Sequence, residues 1–393
     1  MFARPDDMTT IGDPRIWPSA TTAEPCAALY RRVAQSLGAA TSVEAERHDA
    51  GIESQLRSLL ANRDSGTLVQ VFDSAPSSAI YRHLWRALVR AESAHRGVGT
   101  LAVTVFALPL VIVAGRENGD EPLATLPCIV HNVSEIADVL REHGALAGNE
   151  SFALANTLVA AEAIDIGHLA SIDAWRDLGD DSIARMRELP GLSPAPIAIE
   201  ARDPRVHLRF IVGAAMAAQG ADLVADSSVG RWGMPLTQLL GRAFAQENVT
   251  LLILPLAPKR PCVALQLGRA AQREVSAQLF ASNAIRKMRA SVGEPAAAIS
   301  AHRAADTVTG GELRVSLSSP FDPGQAEGFR CPLYRTDQPS VVADMLATLL
   351  RDCRVADVRV LPGVHADRDP ATGSHLLFKA EALDDAPPIT TIQ

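Results

Sequence analysis

Aromatic residues and lysine are both scarce in this 393-residue chain. Phe, Trp and Tyr make up 4% of the residues, and no aromatic stacking platform is evident. Only Lys259, Lys287 and Lys379 are lysines, and the formal net charge is −8. Proteins that bind nucleic acid generally carry a basic surface that neutralises phosphates. The net charge therefore predicts that the chain is not a general nucleic-acid binder.

Cysteine is also scarce, and its spacing is informative. Cys26, Cys128, Cys262, Cys331 and Cys353 are scattered singly, with no C-x-x-C pair and an odd total. A disulfide framework needs an even number of cysteines, and a cysteine zinc site needs closely spaced ligands. The cysteine pattern argues against both.

Long hydrophobic runs are missing as well. The most apolar run, residues 101–114, contains Thr104 and Pro109 and is shorter than the roughly 20 residues that a membrane helix needs. Residues 1–19 carry acidic residues and prolines where a signal peptide needs a basic and then an apolar stretch. We therefore expect no membrane span and a cytoplasmic location.

Common catalytic motifs are absent from the sequence. It contains no G-x-S-x-G nucleophile elbow, no G-x-x-x-x-G-K-[ST] and no G-x-G-x-x-G after a strand. These motifs supply an exposed serine or a backbone cradle for phosphates. Serine hydrolase, ATPase and Rossmann oxidoreductase chemistry are therefore disfavoured, and no cofactor is indicated.

The residues that are present predict a folded chain of alternating helices and strands. Hydrophobic residues make up 47% of the chain and charged residues 21%, which is typical of globular proteins. We predict an α/β (or α+β) fold with mixed sheets covered by helices. Helices are predicted at residues 27–37, 52–62, 77–95, 133–143, 152–175, 236–244, 270–289 and 340–351. The apolar stretch from Val206 is predicted to run into a further, Ala-rich helix that ends near Gly220. Strands are predicted at residues 67–72, 101–114, 126–130, 223–225, 249–256, 262–267, 313–317, 357–361 and 375–379.

The length predicts two domains. Pro190, Gly191, Pro194 and Pro196 interrupt the chain and are taken as the boundary. The predicted organisation is an irregular N-terminal tail, two α/β domains and a C-terminal tail, at residues 1–21, 22–190, 197–384 and 385–393.

The two halves share short sequence words in the same order. Leu-Pro-Leu occurs at residues 108–110 and 254–256, and Pro-Cys follows at 127–128 and 261–262. The spacing between these words differs between the halves. The words suggest an internal duplication, and the alternative is chance similarity between two Ala- and Leu-rich halves.

The best candidate for chemistry lies near the C-terminus. His365, Asp367, Asp369 and His375 fall between two predicted strands. Imidazole and carboxylate groups are suitable ligands for Zn²⁺, Mn²⁺ or Fe²⁺, so these four residues are a candidate metal site. The same Asp, Pro and Gly residues are also typical of a solvated hairpin loop.

Three further groups of residues have both a functional and a structural interpretation. Glu162, Asp165 and His168 would share one face of the predicted helix 152–175, as metal ligands or as a solvated surface. Cys128 and His131 could be a thiol and a base, although a core role for Cys128 is favoured. The basic end of the helix 270–289 contains Arg286, Lys287 and Arg289, which suits the helix dipole and could also contact an acidic partner.

The sequence favours a non-catalytic structural or adaptor protein that acts through protein–protein contacts or self-association. The alternative is a metal-dependent enzyme, a hydrolase that uses the loop of residues 365–375. An enzyme requires a concave pocket with perturbed titratable groups, whereas a scaffold requires an exposed apolar patch or a free sheet edge.

Overall fold

A computed structural model shows a chain that divides into two compact units, each built on a four-stranded sheet. The larger unit takes the described residues of 20–75 and 83–272, and the smaller unit takes those of 76–82 and 273–391. The structure describes residues 24–62, 64–93, 101–116, 124–146, 152–164, 194–199, 204–218, 229–291, 293–302, 309–319 and 326–364.

The described part of the chain contains eight α-helices. They are α1 Glu24–Leu37, α2 Ser42–Ala61, α3 Ser65–Asp73, α4 Ser78–Ser93, α5 Val133–Glu142, α6 Val229–Phe244, α7 Pro261–Ser291 and α8 Pro339–Asp352. A short 3-10 helix covers Ala161–Ile164. None of these helices is long and apolar enough to cross a membrane.

Ten strands form two four-stranded sheets and one two-stranded ribbon within the described ranges. Sheet 1 has the order β3-β5-β1-β6, sheet 2 has the order β10-β7-β8-β9, and β2 pairs with β4. The strands are β1 Leu101–Arg116, β2 Ala124–Leu126, β3 Phe152–Val159, β4 Ile197–Ile199, β5 Arg205–Ala218, β6 Val249–Pro255, β7 Ala296–His302, β8 Thr309–Ser318, β9 Ala326–Tyr334 and β10 Val358–Val364.

Sheet 1 is antiparallel throughout, and its central strand β1 continues through Pro109. Proline has no N–H to donate, so it is tolerated in a sheet where the partner strand is irregular. Leu256 N donates to Pro109 O, and Ala107 exchanges hydrogen bonds with Lys259, so β6 bulges opposite Pro109. The proline in the run of residues 101–114 would also allow two strands, but the structure shows one unbroken strand.

The two faces of sheet 1 pack against different helices. On one face, β1 side chains such as Phe106 and Leu110 pack with α5 and α6, where Trp232 is fully buried. On the other face, Gly268 of α7 packs closely against β5. A Cβ added at Gly268 would lie 2.8 Å from the Leu208 side chain. Sheet 1 is therefore buried on both sides, and residues 105–114 of its central strand β1 are apolar on both faces.

Sheet 2 is mixed, because β10 runs parallel to β7 and the other pairs are antiparallel. Leu313, Val315 and Leu317 of β8 point into a core formed with α7 and α8. In the sequence these residues alternate with polar residues, which predicts a half-buried strand, and β8 confirms this prediction. Together the two sheets confirm the predicted α/β or α+β class.

Two predicted strands are helices. The segment 67–72 lies in α3, where Asp64 accepts the Thr67 N–H at 3.0 Å and Leu68, Val71 and Phe72 form one buried helical face. The segment 262–267 lies in α7, which starts at Pro261. Proline suits the first turn of a helix, where its missing N–H is not needed. Residues that favour a helix N-terminus thus explain why both segments are helical and not extended.

Two predicted helices are strands. Residues 152–159 form β3, and residues 205–218 form β5, which pairs along 14 residues of β1. Gly213 shows how closely these strands pack, because a Cβ there would meet Phe106 Cζ at 2.5 Å and Ala153 O at 2.6 Å. Small residues let the layers approach closely, and burial of the paired backbone overrides the helical preference of alanine.

Local sequence signals predicted the end of helix α5 correctly, but not its N-terminal cap or the pairing of β2. Helix α5 ends at the predicted place, and Gly144 adopts φ +60° in a Schellman motif closed by the Ala145 N–H to Leu140 O bond. The spacing of Asn132 and Glu135 predicts a capping box at the start of this helix. Asn132 makes no side-chain capping bond, so that prediction is wrong. The polar turn at residues 116–121 predicts a hairpin between the strands on either side of it. This prediction is wrong, because β2 pairs with β4 and not with β1.

The predicted duplication is not confirmed. The two Leu-Pro-Leu words lie side by side, since Leu110 of β1 is opposite Pro255 of β6. The Pro-Cys words differ in setting, because Pro127 follows a strand and Pro261 begins a helix. Strand β5 pairs with β1 and β3, so hydrogen bonds join the predicted domain 22–190 to the predicted domain 197–384. Whether these ranges fold independently stays a prediction.

Candidate functional site

His365, Asp367, Asp369 and His375 all lie outside the described residues. Among the residues that are described, no group of three or more His, Cys, Asp and Glu side chains could hold a metal ion. The metal-dependent hydrolase stays a prediction.

Glu162 lies on the 3-10 helix beside β5, and not on the predicted long helix. Asp165 and His168 are outside the described residues. Burial lowers the pKa of the Arg209 guanidinium, and the charge of Glu162 partly offsets this effect. Arg209 donates to the carbonyls of Ala195, Pro196 and Leu208. This group therefore fastens the segment before β4 onto β5.

The other two predicted groups also have structural contacts. Cys128 packs against the core of sheet 1, as expected, and its carbonyl accepts the Leu158 N–H at 2.6 Å. Arg289 donates to Glu294 and to the carbonyls of Cys353 and Arg354 at the end of α8. The basic end of α7 therefore satisfies the C-terminal carbonyls of a neighbouring helix.

Sequence reasoning missed a buried polar cluster on sheet 2. Ser300 Oγ lies 2.7 Å from His302 Nε2, and the facing residues Arg314 and Glu312 form an ion pair at 2.5 Å. The i, i+2 spacing on β7 was the available signal, but no strand was predicted there. Ser300 is only 1% exposed, so a substrate cannot reach its hydroxyl. The cluster is a satisfied polar network within the sheet.

The edge strands of the two sheets differ in how they are protected. The outer side of β3 is paired, because Val130 N donates to Asn156 O and Ala195 N donates to Leu158 O. Strands β9 and β10 contain charged residues, which discourage pairing with another chain. Strand β6 has neither protection, because its sequence VTLLILP is uncharged and its one partner among the described strands is β1.

The hydrogen-bonding groups of β6 alternate between β1 and the open edge. Ala107 and Pro109 of β1 bond toward β6, so Val111 and Val113 do the same, opposite Leu254 and Leu252. The residues between them, Val249, Leu251 and Ile253, must point their N–H and C=O groups outward. Thr237 Oγ1 donates to Ile253 O at 3.0 Å. Within the described residues, the Ile253 carbonyl is the one outward group of β6 that bonds to a side chain.

The side chains of β6 make its edge apolar. Ile253 is buried in the core of sheet 1, and Leu251 packs against the same core. Leu252, at the centre of the strand, is 48% exposed. The strand is preceded by the exposed Glu247 and followed by Lys259. We call residues 249–255 with these outward groups the β6 edge.

The sequence predicted strand β6, but not its position at the edge of a sheet. The strand was predicted at residues 249–256, but its position at the rim of a sheet follows from pairing that no local pattern shows. No protein-family model, no curated protein and no solved structure matches this chain. Its function must therefore be inferred from its own residues.

Proposed function

We propose that this chain is a non-catalytic structural or adaptor protein that acts through protein–protein contacts at the β6 edge. The observation that carries the proposal is an uncharged edge strand with outward N–H groups at Val249, Leu251 and Ile253. An extended segment of a partner can add to such an edge as a further strand. Main-chain hydrogen bonds then supply affinity, and the exposed Leu252 supplies an apolar contact.

The energetics of an open edge support this role. An unpaired row of N–H and C=O groups is a template for pairing, and most proteins protect it with charge, proline or a covering element. On the β6 edge, Pro255 lies only at the end of the strand. Four residues before it, Leu251 presents both of its backbone groups outward and carries an apolar side chain. A partner strand would satisfy these groups.

Photo-crosslinking in cells that naturally make the protein tests the proposal. A photoreactive amino acid replaces Leu252, and the matched control carries it at the exposed Val43 of α2. We expect a protein adduct at position 252 that the control lacks. Adding Leu251→Pro should abolish it, because proline removes an outward N–H without breaking the ladder to β1. An equal adduct yield at both positions would refute the β6 edge as the contact.

A further inference from the structure

We infer that the partner at the β6 edge is a second copy of this chain, paired antiparallel so that Leu252 lies opposite Leu252 of the other copy. This inference rests on the proposed function and names its partner. Most soluble homo-oligomers are two-fold symmetric, and a two-fold axis through one strand position pairs an edge with itself. The two copies of sheet 1 would then form one continuous sheet.

The hydrogen-bond positions restrict the register, and the extent of overlap selects one centre. An antiparallel pair places outward-bonding residues opposite each other, so only odd-numbered residues of β6 can face odd-numbered residues. A centre at Leu252, the midpoint of Val249–Pro255, overlaps the whole strand. Leu251 then faces Ile253 of the other copy, and Val249 faces Pro255. Each outward N–H meets a carbonyl, and Pro255 has no N–H that would be left without an acceptor. The Ile253 carbonyl, which accepts from Thr237 Oγ1, would accept the Leu251 N–H of the other copy with its second lone pair.

The side chains support the same centre. Because the backbone of Leu252 bonds to β1, the two Leu252 residues would form a non-hydrogen-bonded pair across the new interface. Such pairs bring Cα atoms to about 4.5 Å, closer than hydrogen-bonded pairs. The half-exposed leucine side chains would therefore cover each other. A centre at Thr250 would instead bring two exposed hydroxyl side chains together and leave Leu252 near the end of the overlap.

Charge complementarity explains why two chains of the same net charge can meet here. The formal net charge is −8, so two copies repel each other overall. Strand β6 contributes no charge to that repulsion. In the antiparallel arrangement, Glu247 before one strand comes within two residues of Lys259 after the other, and the symmetry makes this contact twice. Opposite charges thus flank an apolar centre.

Disulfide crosslinking of the purified full-length chain tests the register. A cysteine pair at a non-hydrogen-bonded position satisfies disulfide geometry, so Leu252→Cys should give a covalent dimer under mild oxidation. Thr250→Cys is the matched control, because Thr250 would face Leu254 of the other copy and not itself. The unmodified chain, with its five cysteines, gives the background. A dimer through position 250, or through neither position, overturns the register.

Light scattering across a concentration series tests whether the partner is a second copy of this chain. We expect a dimer whose dissociation constant rises by about tenfold or more in Leu252→Lys, because like charges would lie directly opposite. Circular dichroism checks that this surface variant is folded. A monomer at all concentrations up to about 100 μM, far above the Kd of stable dimers, overturns the second copy as partner. An adduct with a different protein at position 252 in cells would do the same, yet leave the proposed function standing.

Discussion

His207 on β5 shows how a single residue links packing to pH. Its side chain is flanked along the strand by Arg205 and Arg209. Burial, and then the charges of Arg209 and Arg205, lower the pKa of His207 from 6.5 to about 4. The imidazole is therefore neutral in the folded protein at pH 7. In the unfolded chain the same group takes up a proton near its ordinary pKa.

We expect the folded protein to lose stability as the pH falls from 6.5 to about 4, in part through His207. In that window the unfolded state binds a proton that the folded state does not, so the free energy of unfolding rises with pH. His207→Gln should flatten this slope in urea unfolding followed from pH 4 to 7. His131→Gln, at an exposed position, is the control. An unchanged slope in His207→Gln would contradict the assignment.

At the scale of elements, helix ends account for much of the architecture. Helix α8 ends in a Schellman motif, with Arg354 at φ +63° and Val355 N donating to Leu350 O at 3.0 Å. Helix α7 begins at Pro261, and the buried Glu92 of α4 accepts the Cys262 N–H through both carboxylate oxygens at 3.3 and 3.2 Å. A carboxylate at a helix N-terminus also complements the helix dipole.

Removing this contact should weaken the larger unit. Glu92 is 2% exposed, so Glu92→Ala leaves a buried helix N–H without its carboxylate. We expect the free energy of unfolding to fall by roughly 1–3 kcal/mol. Glu92→Gln keeps a hydrogen-bond acceptor and should lower the free energy of unfolding by less. Glu274→Ala, at an exposed position of α7, should leave the free energy of unfolding nearly unchanged. Urea unfolding monitored by circular dichroism measures all three, and equal losses for Glu92→Ala and Glu274→Ala would disprove the role.

For the whole molecule, the strand order of sheet 1 determines which parts of the chain depend on each other. Strands β3 and β1 come before residue 190, whereas β5 and β6 come after it. Because the order is β3-β5-β1-β6, the strands from the two parts alternate across the sheet. All of sheet 2 comes from the later part.

We expect that residues 1–190 do not fold alone, and that they recover a folded sheet 1 only together with residues 191–393. Separated fragments would expose strand β1, which is apolar on both faces, and the apolar residues 210–215 of β5. Co-expression with an affinity tag on one fragment should recover both fragments together, with a cooperative urea transition near that of the intact chain. If residues 22–190 alone unfold cooperatively, the predicted domain boundary is correct and this expectation fails.

The sequence by itself determined the elements whose signals are local. Apolar residues at helical spacing and a terminal glycine located α5, and alternating apolar residues located β8. Both signals report the preference of a short segment, which depends on its own side chains and caps. The fold class followed from the order of such segments, and β6 was recognised as a strand for the same reason.

Only the tertiary structure determined that the Ala-rich segments are strands and where the candidate site lies. Alanine favours helix locally, yet β3, β5 and β7 are strands, because their small residues permit close packing of paired layers. Whether a strand lies at the centre or the edge depends on residues far away in the chain. Among the described strands, β6 lies at the edge of sheet 1 because β1 pairs with β5 on its other side, and no pattern within residues 249–255 encodes that pairing.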